Sequence, residues 1–135
     1  MAGRVPSRRA FRDFLPRANI YGADFDSRIL FTDERIQTFF VDQTDQAALA
    51  ELAKEIPEEL DLIIDDGLHA PDANLATLIF ALRKVRPGGW IVIEDILPAA
   101  LAVWRIVPRL LPAGFQPYLL QAKSSFVFAV RRQDL

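Results

Sequence analysis

Two apolar runs in this chain each close on a pair of acids: DLIIDDGLHAPD at 61–72 and GGWIVIEDI at 88–96. The first ends in Asp65 and Asp66, followed by Gly67 and by His69, the protein's only histidine. The second ends in Glu94 and Asp95. Neighbouring parallel strands lie about 4.8 Å apart. Paired that way, the two runs gather four carboxylates and one imidazole at one sheet edge. Like charges so close repel and raise one another's pKa. A bound divalent cation is the simplest relief.

The remaining pattern fits such a sheet. Residues 7–15 place Ala10, Phe11, Phe14 and Leu15 at helical spacing, and Pro16 ends that helix. Residues 19–23 read as a strand stopping at Asp24, and 36–41 as a second stopping at Asp42. Asp45 reads as the N-cap of a helix over 46–55, with Ala47, Ala48, Leu49 and Leu52 buried and Pro57 as its stop. Residues 60–64 form a third strand, apolar without alternation, as strands buried on both faces are. Asp72 reads as the cap of a helix over 73–85 with Leu75, Leu78, Ile79 and Leu82 inward. PGG at 87–89 breaks it, and 90–93 is the fourth strand. A helix runs from Pro98 through Leu111, and the tail forms a hairpin around Lys123-Ser124-Ser125. Phe80, Trp90 and Trp104 read as core.

Strands alternating with helices mean a parallel α/β sheet. Ligands of such sheets bind beyond the carboxyl ends of the strands. Here four successive strands end in acids: Asp24, Asp42, Asp65-Asp66 and Glu94-Asp95.

Composition removes several alternatives. The chain has 135 residues, enough for a single domain over 1–135. An apolar share of 51% argues against disorder. The net charge of −2 gives no basic footprint for nucleic acid. The clusters Arg8-Arg9 and Arg131-Arg132 read as solvated ends. Cysteine is absent, which removes thiolate ligands and nucleophiles and fits a reducing, cytoplasmic setting. No apolar run has the roughly 18 residues of a membrane span, so no membrane partner is expected.

From Phe11 to Ile96 the chain resembles the class I S-adenosylmethionine-dependent methyltransferases. Within them it is similar to the metal-dependent macrolide sugar O-methyltransferases and the cephalosporin-hydroxylase-like group. The carriers are FRDFLPRANIYGADFD, FFVDQTD, DLIIDDGLH and KVRPGGWIVIEDI. DDGxH followed by the ED pair is the most specific. The resemblance implies a Rossmann-like sheet, mostly parallel, with a C-terminal antiparallel hairpin. The family opens on a strand ending in a glycine-rich turn. Ahead of the first helix this chain has only MAGRVPS, so we expect a partial domain lacking the first strand, with weak cofactor binding.

The resemblance also implies a site. S-Adenosylmethionine and Mg2+ are the cofactors. Asp24 would accept from the ribose hydroxyls, as acids after a second strand do in nucleotide-binding folds, with Asp26 the second candidate. Asp42, with Gln43, would meet the adenine amino group. Asp65 would sit where the strand meets the cofactor. Asp66, Glu94 and Asp95 would hold the cation through oxygen. His69 would be the base that takes the proton of the acceptor hydroxyl. The partner would be a small-molecule hydroxyl acceptor, a sugar or natural product, and a homo-oligomer is open. The rival readings are a non-catalytic fragment completed by a partner or dimer, and a nicotinamide-binding domain in which DDGxH and ED would have no task.

Overall fold

A computed structural model describes residues 4–56 and 59–134, with side chains from Arg8 onward. Pro57, read as a helix stop, and Gly3 lie outside the described residues. The chain divides into two compact units, 1–42 and 43–135.

The first unit contains α1 (Arg4–Phe14), β1 (Ile20–Asp24), a 3-10 turn over Ser27–Ile29 and β2 (Ile36–Phe40). β1 and β2 form a parallel pair in the register Ile20↔Ile36 to Asp24↔Phe40. The apolar stripe expected to bury α1 does not do so: Ala10, Phe11, Phe14 and Leu15 are all exposed. Arg8 is buried instead, and it is not a solvated end. Gly22 makes room for it, since a Cβ there would sit 2.3 Å from Arg8 Nε. The Arg35 guanidinium closes α1 by donating to the carbonyls of Leu15 (2.9 Å), Ala18 (2.7 Å) and Arg12 (2.9 Å). A cation on the last carbonyls of a helix satisfies them and favours the negative end of its dipole.

The second unit contains α2 (Gln46–Glu55), β3 (Leu60–Asp65), α3 (Pro71–Lys84), β4 (Val85–Ile96), α4 (Leu101–Ile106), β5 (Phe115–Gln121) and β6 (Phe126–Arg132). Its strands form one sheet in the order β3-β4-β6-β5. β3 and β4 are parallel, and β6 runs antiparallel to both β4 and β5. The core centres on Ile91 and Ile93 of β4, Phe128 and Val130 of β6, Val85 and Trp104. Trp104 rests on Phe128 with ring centroids 4.9 Å apart.

Asp45 caps α2 as read, accepting from Ala47 N–H at 2.9 Å. At the other end Lys84 Nζ donates to the carbonyls of Ala53 (3.2 Å) and Ile56. Six readings need correction. Asp72 does not cap α3: Ala70 holds the N-cap place, Pro71 supplies the fixed φ of the first turn, and Asp72 follows as its acid. The buried face of α3 is rotated, with Ala73, Asn74, Ala76, Leu78, Phe80 and Ala81 inside and Ile79 out. The small alanines let the helix lie close on the sheet. β3, an edge strand of its sheet, is not buried on both faces: Leu62 and Ile64, which share one face, are exposed. Trp90 is exposed and packs on Tyr118 with ring centroids 5.8 Å apart. PGG does not separate helix from strand, since β4 runs through it, with Gly88 absorbing a φ of 79°. The expected long helix after Pro98 is a short α4 between 3-10 turns at Pro98–Ala100 and Val107–Arg109.

Candidate functional site

The register of β3 on β4 decides which acids can meet. Asp65 pairs with Ile93, so the next residues, Asp66 and Glu94, stand level at the carboxyl ends of two parallel strands. Glu94 and Asp95 are consecutive, and in a regular strand consecutive side chains leave on opposite faces. The backbone breaks that rule here. Between Ile93↔Phe128 and Ile96↔Phe126, three steps along β4 match two along β6, which is a bulge of one residue. Within it Asp95 adopts φ 55°. Aspartate is among the few side chains that enter this left-handed region readily.

The bulge brings both acids round to Asp66. One carboxylate oxygen from each of Asp66, Glu94 and Asp95 lies within 4.8 Å of the others. Asp66 and Glu94 are half-buried and Asp95 is exposed. Burial pushes the Glu94 carboxyl above its ordinary pKa, and the negative charges of Asp66, Asp95 and Asp65 push it further the same way. Three oxygen donors with a charge excess could hold a hard divalent cation.

Asp65, the fourth acid, turns away from the cluster. Its buried carboxylate accepts from Gln43 Nε2 at 2.9 and 2.8 Å, from Asn74 Nδ2 at 2.9 Å and from the Gly67 N–H at 3.0 Å. Gln43 is therefore engaged inside the second unit. Its amide also donates to Thr77 Oγ1 at 2.9 Å and its oxygen accepts from the Leu68 N–H at 3.1 Å. His69 is exposed in the loop after β3, outside the three-acid cluster.

The other acids belong to the first unit. Asp24 is buried at the end of β1, 3.8 Å from Arg8 Nη2, and accepts from the Asp26 N–H at 3.1 Å. Asp26 holds Arg28 through two hydrogen bonds of 2.9 Å, and that guanidinium lowers its pKa to about 2. Asp42 is exposed.

Residues 8–96 match the family described as a methyltransferase domain. The chain belongs to this methyltransferase family. Over 93 residues this methyltransferase domain is 37% identical to the demethylmacrocin O-methyltransferase of Streptomyces fradiae, covering 69% of this chain and 23% of that one. Over 94 residues it is 39% identical to the mycinamicin VI 2''-O-methyltransferase of Micromonospora griseorubida, with shares of 69% and 23%. The chain thus spans about a quarter of the length of these curated relatives. Among solved structures, the MycE methyltransferase from the mycinamycin biosynthetic pathway, in complex with Mg, SAH and mycinamycin VI, superposes with a TM-score of 0.73 at 25% identity. That match covers 94% of this chain and 39% of the other. An O-methyltransferase from Bacillus cereus in complex with SAH superposes at 0.64 with 16% identity, over 84% of this chain and 62% of that one, a likeness of fold alone. The α/β architecture with its antiparallel C-terminal hairpin is that of Rossmann-like methyltransferases.

Within the methyltransferase domain, reading the sequence missed Arg8, Asn74 and Thr77. Asn74 left one signal, a lone amide amid the apolar residues of ANLATLIF. Arg8 left none, because nothing in a run of arginines marks which one turns inward.

Proposed function

We propose that this chain carries the catalytic half-site of an S-adenosylmethionine-dependent O-methyltransferase that works with Mg2+ on a hydroxyl of a sugar or other natural product. The observation that carries the reading is the convergence of Asp66, Glu94 and Asp95 within 4.8 Å through a bulge in β4. Two relatives are by name O-methyltransferases, of demethylmacrocin and of mycinamicin VI, and a solved relative holds Mg and SAH.

The donor set fits the ion, since carboxylate oxygens suit Mg2+ and Mn2+. Asp66, Glu94 and Asp95 would hold it. When bound, a divalent cation makes an acceptor hydroxyl easier to deprotonate. Asp24 would take the ribose hydroxyls and Asp42 the adenine amino group, the cofactor roles proposed for acids at the ends of β1 and after β2. His69, past the end of β3 and in the loop that carries Asp66, would remove the acceptor's proton. S-Adenosylmethionine would supply the methyl group and leave as S-adenosylhomocysteine, while His69 would keep the proton of the acceptor hydroxyl. Alignment of oxygen, methyl and sulfur supplies much of the rate.

The test is transfer of labelled methyl from S-adenosylmethionine, supplied in large excess to offset weak binding, to a glycoside bearing free sugar hydroxyls. Label should reach the glycoside with Mg2+ and stop in excess chelator. Transfer that persists unchanged in chelator removes the metal, and no transfer to any hydroxyl removes the reaction.

A further inference from the structure

The loop that follows β3 has only a few residues between its two chemically active side chains, Asp66 and His69. Such a loop must be held by something other than strand pairing. The structure holds it at Leu68, from both sides. The Leu68 N–H donates to Gln43 Oε1 at 3.1 Å, and the Leu68 carbonyl accepts from Asn74 Nδ2 at 3.2 Å. Both amides are also joined to one buried carboxylate, Asp65.

We propose that Gln43 and Asn74 are positioning residues that clamp the Leu68 peptide and so fix Asp66 against Glu94 and Asp95. The inference rests on the reading of those three acids as a cation site.

The arrangement has the marks of a preorganised support. Gln43 uses both N–H directions and its oxygen: Asp65 and Thr77 take the hydrogens, and Leu68 gives one. Asn74 is 3% exposed and sits in the first turns of α3, so a helix backbone fixes it. Asp65 orients both amides at once and itself accepts the Gly67 N–H at 3.0 Å. Gly67 completes the fit, since a Cβ there would lie 2.1 Å from Gln43 Oε1. Partners that orient a metal's ligands commonly matter for affinity by 10- to 100-fold. An amide so occupied is also not available to read an adenine ring, which gives Gln43 a different task from the one its neighbour Asp42 suggests.

The test uses Mn2+ as the probe and the chain as it stands. Mn2+ affinity is read by electron paramagnetic resonance, and exchange of the Leu68 amide by hydrogen–deuterium NMR. Gln43→Ala and Asn74→Ala should each weaken Mn2+ by 10- to 100-fold, and Gln43→Ala should release the Leu68 amide to faster exchange. Gly67→Ala, which displaces the Gln43 amide, should act like Gln43→Ala. Lys84→Met loses a helix cap away from the loop and serves as the control. It should lower the melting temperature with Mn2+ affinity within about twofold of the parent. If Asn74→Ala does not fold, Gln43→Ala decides alone, because that side chain is only half-buried. Parent-like Mn2+ affinity in Gln43→Ala overturns the clamp and leaves the cation site standing. Equal losses in Lys84→Met also overturn it, by showing a general effect of stability. A parent chain that binds no Mn2+, or an Asp66→Asn chain that binds it equally well, overturns the cation site and the clamp's purpose together.

Discussion

Arg8 Nη2 lies 3.8 Å from Asp24 Oδ2, with 9% and 0% of the two side chains exposed. A cation from the helix and an anion from the strand end therefore meet out of water. Removing one partner of a buried ion pair costs about 3–5 kcal/mol, because the other charge is left buried and uncompensated. Arg8→Met should lower stability by that order in urea unfolding. Gly22→Ala should lower it in the same direction without touching either charge, since the new Cβ occupies the place of the Arg8 side chain. An unchanged midpoint in both variants would show that the pair contributes nothing.

Asp95 carries two burdens, a charge and a left-handed backbone at φ 55°. They separate by substitution. Asparagine tolerates that region nearly as well, so Asp95→Asn should keep the melting temperature while weakening Mn2+ at least tenfold, as loss of a ligand should exceed loss of a ligand's support. A β-branched residue does not tolerate it, so Asp95→Val should lose about 1–2 kcal/mol of stability as well. Equal stability of the two variants would mean that the bulge relaxes without cost.

Glu94 makes the metal-free chain's stability depend on pH. Its folded-state pKa lies above the ordinary 4.5, chiefly through burial. The folded state therefore binds that proton more tightly than the unfolded chain does. The contribution is fully present below pH 4.5 and is lost as pH rises through the folded-state value. In chelator, the parent should lose melting temperature over that rise, and Glu94→Gln should lose less. Mg2+ at neutral pH should restore the parent and not the variant. Parallel profiles for the two chains would show that Glu94 is not destabilised by its neighbours.

The residues that were legible in advance are those whose signal is local. Asp45 announces the start of α2, and the apolar runs before Asp65 and Glu94 announce two adjacent parallel strands. The convergence of Glu94 with Asp95 was legible only as composition. The bulge that achieves it depends on the pairing of β4 with β6, some thirty residues further on. Burial faces were least legible. Ile79 and Trp90 look like core by type, and Asn74 does not. Their fates depend on which elements pack where, because α3 lays its alanines on the sheet and a buried carboxylate, Asp65, calls an amide inward. Arg8 inverts the expectation for α1 for a related reason: the acid at the end of β1 and the open space over Gly22 draw it in.

His69 carries the chemical step in the proposed reaction, and its place makes that claim separable from structure. The side chain is exposed, it stands outside the three-acid cluster, and the loop beneath it is held through Leu68. Removing the imidazole should therefore disturb neither the fold nor Mn2+ binding. His69→Ala should keep the parent's melting temperature and its Mn2+ affinity. Loss of a general base typically costs 10²- to 10⁴-fold in turnover, so labelled methyl transfer to a glycoside should fall by that order. Added imidazole should recover part of the rate in His69→Ala and none in Asp66→Asn, because a diffusing base can replace the proton acceptor but not a ligand. If His69→Ala transfers methyl at the parent's rate, the proton leaves by another route. If it loses Mn2+ or unfolds, the residue supports the loop and does not act on the acceptor.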